Sequence, residues 1–517
     1  MVSGSNRPAV PYLLAAAPVF LIALALYVRT LLPDVGFWDT AEFQAIGPVL
    51  GTAHPTGYPT YTLTAWLGSV LLQPWGNEAY RADLLSALLM AGAAALLTVR
   101  VVQATRHPGL GLLAGTAFAL TPVAWKWGLR ADPHALHVFL AALLLVLLGA
   151  WAGRRSGGAE RSGRWLLAAA VVYGLALGNH ALTLLLAPGI AVYVLVVAPR
   201  IVWREPRLVL GCLAALVLTT VLVYLYLPLR SGMDPPLDYA DPETWEGFWY
   251  VVLGQQFQGS FDLPPAADIL ARMWAETVRN LGPLTLVAVA GAVVGLARHP
   301  RLTILSLLWF GGTWLFALGY PNAQIERYYL VPLLMAALWL ALALEAAWAA
   351  LDAYARSSGH ARVASYGAPL TGVLLLALIV SGASGQARNV DASGDHRGRD
   401  YLEATFAAVE PEAVIVSWWS FSTPLWYGQH VEGQRPDITV IDDRDVLDDG
   451  YGTALAAVEA HLGERPVYVI RQDRDLAELE QVYQLTRVPE VPVQLYRVEG
   501  PADAEGPADV EGPAKEG

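Results

Sequence analysis

The chain has 517 residues, of which 55% are hydrophobic and only 15% charged, with a mean hydropathy of +0.43. A soluble globular protein carries about 25% charged residues, so this composition excludes one and points to the bilayer. The net charge of −12 is unevenly placed, acids in the outward loops and the C-terminal third and arginines in short loops, so it says nothing about nucleic acid, which is not an expected partner; the single cysteine, Cys212, excludes an intramolecular disulfide.

The first apolar run, 11–32, approaches the ~20 residues that span a bilayer, and no small-residue cleavage site follows it. It reads as a retained first helix. Further apolar runs follow at 86–104, 109–127, 135–152, 165–179, 181–198, 208–228, 283–297, 302–319, 329–350 and 365–382. Together they predict an all-α polytopic membrane bundle of about eleven transmembrane helices, occupying 1–385. Arginines orient the stack: Arg7, Arg100, Arg106, Arg154, Arg155, Arg161, Arg164, Arg200, Arg204, Arg207, Arg298, Arg301, Arg356 and Arg362 fall in alternate short loops. Positive charge stays on the cytoplasmic side. The N-terminus is therefore expected inside, with the long loops 33–85 and 229–282 and everything after about 383 outside a cell (inner) membrane. Past the last run the pattern becomes that of a small α/β domain over 386–498, with a helix near 401–409 and strands near 413–418, 437–441 and 467–470. The final 499–517 stretch repeats Glu-Gly-Pro-Ala with further acids and reads as a disordered tail.

The first outward loop carries the strongest chemical signal. Asp39 and Glu42 stand three apart, on one face of a short helix just beyond the first span. A carboxylate held there can act as general base on an attacking hydroxyl; the same pair can also hold a divalent cation, or simply cap the helix. The following His54-Pro-Thr-Gly-Tyr58-Pro turn is stiffened by two prolines and places His54 and Tyr58 beside it, as a pocket wall or an interfacial aromatic belt. Arg130, Arg230 and Arg327 sit at outward helix ends, against the positive-inside bias. Each can grip a lipid phosphate or pair with a local acid such as Asp132 or Glu326. Asn179 and His180 close an apolar run, where polar groups are costly unless they face a cavity. No zinc-protease, Walker or dinucleotide pattern is present.

The runs Trp38-Asp-Thr-Ala-Glu-Phe, His54-Pro-Thr-Gly-Tyr-Pro-Thr-Tyr and Arg81-Ala-Asp-Leu-Leu-Ser-Ala-Leu resemble the opening of the polytopic protein O-mannosyltransferase-like family, once catalogued as a domain of unknown function. Gly174-Leu-Ala-Leu-Gly-Asn-His and Tyr226-Leu-Pro-Leu-Arg are similar to later family signatures. The resemblance implies a C-type glycosyltransferase fold and a polyprenyl-phosphate sugar as donor. It also implies a catalytic acid in the first outward loop, with Asp39 as base, Glu42 its neighbour, and His54 and Tyr58 in the pocket wall. Where relatives carry Ala-Glu-x-Tyr after the third helix, this chain has Ala131-Asp-Pro-His, which opens the roles of Asp132 and His134.

These readings converge on a membrane hexosyltransferase that moves mannose or a similar sugar, with inversion, to a hydroxyl on a protein or glycan. His54, Tyr58, Arg130, Asp132, His180, Arg230 and Arg327 are its expected substrate-binding groups, and the cofactor reading is none beyond an optional divalent cation. The rival is a transporter or flippase of lipid-linked saccharides, in which the same groups bind without chemistry; it is weakened by the lack of an internal repeat.

Overall fold

The computed structural model describes residues 10–157, 162–320, 322–358, 361–448 and 450–501; most of the 499–517 tail lies outside them. The chain divides into two compact units. One comprises the residues up to Asp34 together with Phe43–Asp395, and the other comprises Val35–Glu42 together with the chain from His396 onward.

The first unit is helical. The apolar runs read from the sequence are largely helical, though 109–127 is split into Pro108–Ala119 and Pro122–Trp127, and six helices among the described residues are long and apolar enough to cross a membrane: Glu78–Thr105, Pro133–Ser156, Pro206–Ser231, Pro300–Gly319, Ile325–Ser357 and Leu370–Val390. A seventh is added if the Ala266–Leu281 and Leu284–Arg298 helices, bent by 115° from each other, form one broken span. Leu14–Arg29, Pro108–Ala119, Gly163–Leu177 and Ala181–Val197 are shorter and would need tilt or neighbours to span. Proline opens several helices where its missing N–H costs nothing, at Pro108, Pro122, Pro133, Pro206 and Pro300. The Glu78–Thr105 helix starts well before the expected 86, because Asn77 caps it by accepting from the Tyr80 N–H at 2.9 Å. That early start puts Asp83 inside the helix.

Small residues let the bundle close. Alanines line the buried faces of Glu78–Thr105, Pro133–Ser156 and Leu330–Ser357, and a Cβ on Gly291 would strike the Trp339 carbonyl, so two helices meet backbone to backbone there. Several buried polar groups bond across helices: Tyr27 Oη donates to the Ala119 carbonyl at 2.7 Å, and Trp309 Nε1 to that of Leu186 at 2.9 Å. The Pro206–Tyr224 helix is mostly exposed on its apolar side chains, as expected of a surface facing lipid.

The second unit is built on a five-stranded sheet in the order β2-β1-β3-β5-β4. β1 (Val414–Val416) lies parallel to both β2 (Thr439–Ile441) and β3 (Val467–Val469). β4 (Tyr483–Arg487) and β5 (Tyr496–Pro501) form an antiparallel pair that joins the sheet through β5 and β3. The apolar strands Val-Ile-Val and Val-Tyr-Val are wholly buried, as parallel strands covered on both faces must be. The last two strands have no counterpart in the sequence reading.

Candidate active site

Asp39 begins the Asp39–Val49 helix, with Glu42 in the same first turn. The residue before it, Trp38, takes a left-handed backbone (φ 58°), a strained position for a bulky side chain. Its neighbours in the second unit hold it there. The Trp38 ring packs edge-on against Trp418 at 5.3 Å, and Thr423 Oγ1 donates to the Trp38 carbonyl at 2.9 Å. Phe37 packs against Tyr401 and Phe421, each at 5.7 Å. A Cβ at Gly398 would collide with the Val35 carbonyl oxygen, so only glycine permits this approach. Asp39 itself is half-buried and accepts from Trp419 Nε1 at 2.9 Å. Glu42 is only 4% exposed.

A second polar constellation lies within the first unit. Asp132, wholly buried, caps the Pro133–Ser156 helix by accepting from the His134 N–H at 2.7 Å. The same oxygen meets His134 Nδ1 at 2.8 Å, while Oδ2 accepts from Arg327 Nη1 at 3.0 Å. Burial alone would raise the Asp132 pKa, but His134 and Arg327 outweigh it and hold the carboxyl below its usual range. The His134 ring packs on Tyr328 at 4.7 Å and on His180 at 4.4 Å. His180 accepts the Leu182 N–H on Nδ1 at 3.1 Å, which places its proton on Nε2. Burial, reinforced by His134 and His137, keeps it neutral far below the ordinary histidine range. Tyr58 sets its ring edge 5.5 Å from His180, and its hydroxyl lies 3.3 Å from His54 Nε2. His54, Tyr58, Asp132, His180 and Arg327 are therefore contiguous.

Arg130 and Arg327 each lie over the Trp127 ring, at 5.8 and 5.5 Å, and Lys126 lies over it at 5.3 Å. Three cations share one indole, against Asp132 and Glu326, the latter paired with Lys126. Arg230 is placed differently. Its Nε donates to the Leu50 carbonyl at 2.6 Å and Nη2 to that of Val49 at 3.2 Å, so two of its nitrogens serve to fasten the end of the Asp39–Val49 helix.

Sequence reasoning passed over several members. Asp83 is fully buried, accepts from Gln44 Nε2 at 3.1 and 2.9 Å and from the Ala131 N–H at 2.6 Å, and so ties the first loop to the segment bearing Asp132. Its visible signal was only its place in the Arg81-Ala-Asp-Leu-Leu motif just before the apolar run. His137, buried beside His180 at 5.9 Å, and Trp127 looked like ordinary helix lining. Among the described residues, the one group of three carboxylates close enough to share a cation is Asp238, Asp241 and Glu243, in the second outward loop.

Residues 39–201 match the family model described as the protein O-mannosyl-transferase TMEM260 N-terminal domain, which bears out the family resemblance of the opening motifs. Protein O-mannosyl-transferase TMEM260 of Mus musculus is 30% identical over 252 residues, covering 47% of this chain and 34% of the relative. The Dictyostelium discoideum protein of the same name is 23% identical over 134 residues, 26% of this chain and 16% of its own. The chain thus spans about a third or less of these relatives. Two solved structures share the fold. ArnT from Cupriavidus metallidurans, bound to undecaprenyl phosphate, superposes with a TM-score of 0.59 at 12% identity, over 96% of this chain and 99% of that one. The archaeal oligosaccharyltransferase AglB from Archaeoglobus fulgidus, in complex with an inhibitory peptide and a dolichol-phosphate, gives 0.51 at 14% identity, over 96% and 75%. The expected helical bundle with a small sheet toward the C-terminus is the fold shared with these structures; the expected count of eleven spans is not confirmed.

Proposed function

We propose that this chain is a membrane glycosyltransferase that moves a hexose, mannose or a close relative, from a polyprenyl-phosphate donor to a hydroxyl of a protein or glycan. Transfer takes place at the extracytoplasmic face of the cell (inner) membrane, with the N-terminus in the cytoplasm and the C-terminal α/β unit outside. The observation that carries the reading is Asp39, a half-buried carboxylate gripped by an indole N–H, standing where the match to the O-mannosyl-transferase domain begins.

The proposed chemistry assigns roles to the groups present. Asp39 withdraws the proton of the acceptor hydroxyl as its oxygen attacks the anomeric carbon from the face opposite the phosphate. The new C–O bond forms as the sugar–phosphate bond breaks, its electron pair leaves on the polyprenyl phosphate, and the sugar inverts. Charge growing on that phosphate needs cations already in place, and the Lys126, Arg130 and Arg327 group around Trp127 supplies them. Arg230, already bonded to two carbonyls, is assigned a positioning role.

The lipid has a matching surface. An apolar groove of about 720 Å³ runs along Val19, Ile22, Leu112, Leu113, Val373 and Leu376, and Trp125, two residues from Trp127, lines it as well. We assign the polyprenyl chain to it. The test is transfer of label from radiolabelled polyprenyl-phosphate sugars into host acceptors by protein in nanodiscs. Label reaching a macromolecular acceptor with wild type supports the reading; donor binding with no transfer to any acceptor replaces it with a flippase.

A further inference from the structure

The second unit holds a cavity of about 290 Å³, separate from the groups discussed above. It lies at the carboxyl ends of the parallel strands, the side on which open α/β sheets bind ligands. Asp443 follows β2, Arg471 follows β3, and the start of the Ala454–His461 helix closes the wall behind its cap, Thr453. Asp475 and Glu478 stand on the rim, with Val446 and Leu455 as an apolar face.

Arg471 makes this more than a crevice. It is only 3% exposed, and its Nη1 pairs with Asp443 and lies 3.6 Å from Asp475. Its Nε and Nη2 are buried with no hydrogen-bond partner. A buried donor left unsatisfied has given up its hydration with nothing in return, so two on one guanidinium mark a place where something else accepts.

The lining selects the chemistry. One guanidinium faces three carboxylates, Asp443, Asp475 and Glu478, so the cavity is net negative and repels an anion. Carboxylates accept from hydroxyls, the guanidinium donates to hydroxyl or ring oxygens, and Val446 and Leu455 suit a C–H face. The volume falls at the lower end of ligand pockets, about 300 Å³, which suits a single ring. We infer that the C-terminal unit binds one neutral sugar residue in this cavity, with Arg471 as donor and Asp443 and Asp475 as acceptors. The site would hold a glycan without acting on it, and the inference does not depend on the transferase reading.

The experiment is saturation-transfer NMR on the full chain in nanodiscs, free of sugar-based detergent, with mannose, glucose and galactose as neutral probes and glucuronate as the anionic one. Wild type is expected to bind a neutral hexose saturably and glucuronate at least tenfold more weakly. Arg471→Gln and the rim variant Asp475→Asn should each weaken binding about tenfold. Asp475 is exposed, so its variant tests the site even if Arg471→Gln does not fold. Loss of transfer with hexose binding intact would overturn only the transferase proposal. Absence of saturable hexose binding, binding unmoved by Asp475→Asn, or glucuronate binding as well as a neutral hexose would overturn this one.

Discussion

Asp132 and Asp39 are both acids near a bundle boundary, and their surroundings set them to different tasks. Asp132 is wholly buried, and its two oxygens are committed to a backbone N–H, an imidazole and a guanidinium. A carboxylate so placed is a structural tie, because any proton it took up would weaken its ion pair with Arg327. Asp39 is half-buried and gripped by an indole N–H, in a segment whose rings and backbone are seated on the C-terminal unit. The contrast teaches that a site acid is told by what its neighbours leave it able to do, and not by proximity to charge.

That contrast can be broken by experiment. Asp132→Ala should show the largest stability effect, since it removes the carboxylate paired with a guanidinium that is 6% exposed; breaking a buried pair costs about 3–5 kcal/mol, to be read as a fall in denaturation midpoint in nanodiscs. Asp39→Asn should leave that midpoint within about 0.5 kcal/mol. Equal costs for the two variants would erase the distinction.

The next effect depends on pH. In the second unit, Asp442 is pushed up to about 7 by burial and by the neighbouring Asp445. Its folded-state pKa lies above the unfolded one, so the folded protein binds the proton more tightly. Stability therefore falls as pH rises from about 4 to about 7 and levels off beyond, by an amount on the order of 2–4 kcal/mol. Melting the protein at pH 4.5 and 7.5 checks this, with Asp442→Asn expected to flatten the difference.

A smaller effect sharpens the comparison from the other side. Gly398→Ala forces a methyl into the Val35 carbonyl and should cost about 1–3 kcal/mol. It should also slow transfer about tenfold by shifting Asp39, while Asp132 and its partners are untouched. A variant that loses stability but keeps full turnover would separate the seating of the segment from its chemistry.

The bundle was legible in the sequence because hydropathy and arginine placement answer to bilayer physics, which acts residue by residue. Asp39 and Glu42 stood out by their three-residue spacing on a short helix beyond the first span, and His54 by the two prolines that stiffen its turn. What stayed hidden depends on contacts between distant segments. Nothing in Asp34-Val-Gly-Phe-Trp-Asp tells that Phe37 and Trp38 pack against Tyr401, Trp418 and Phe421, almost four hundred residues on. Arg130, Arg230 and Arg327 looked alike as outward cations, yet one fastens carbonyls and two flank an indole. The β4–β5 pair was missed because Tyr483–Arg487 continues directly from the Asp473–Val482 helix, with no turn residue to announce a strand.

The most direct test of the central claim is the transfer rate of Asp39→Asn beside wild type, at saturating polyprenyl-phosphate sugar and matched membrane abundance. A general base contributes about 10²–10⁴-fold, so the account predicts a loss of at least a hundredfold with donor binding preserved. Turnover within a few-fold of wild type would contradict it and move the base to another residue.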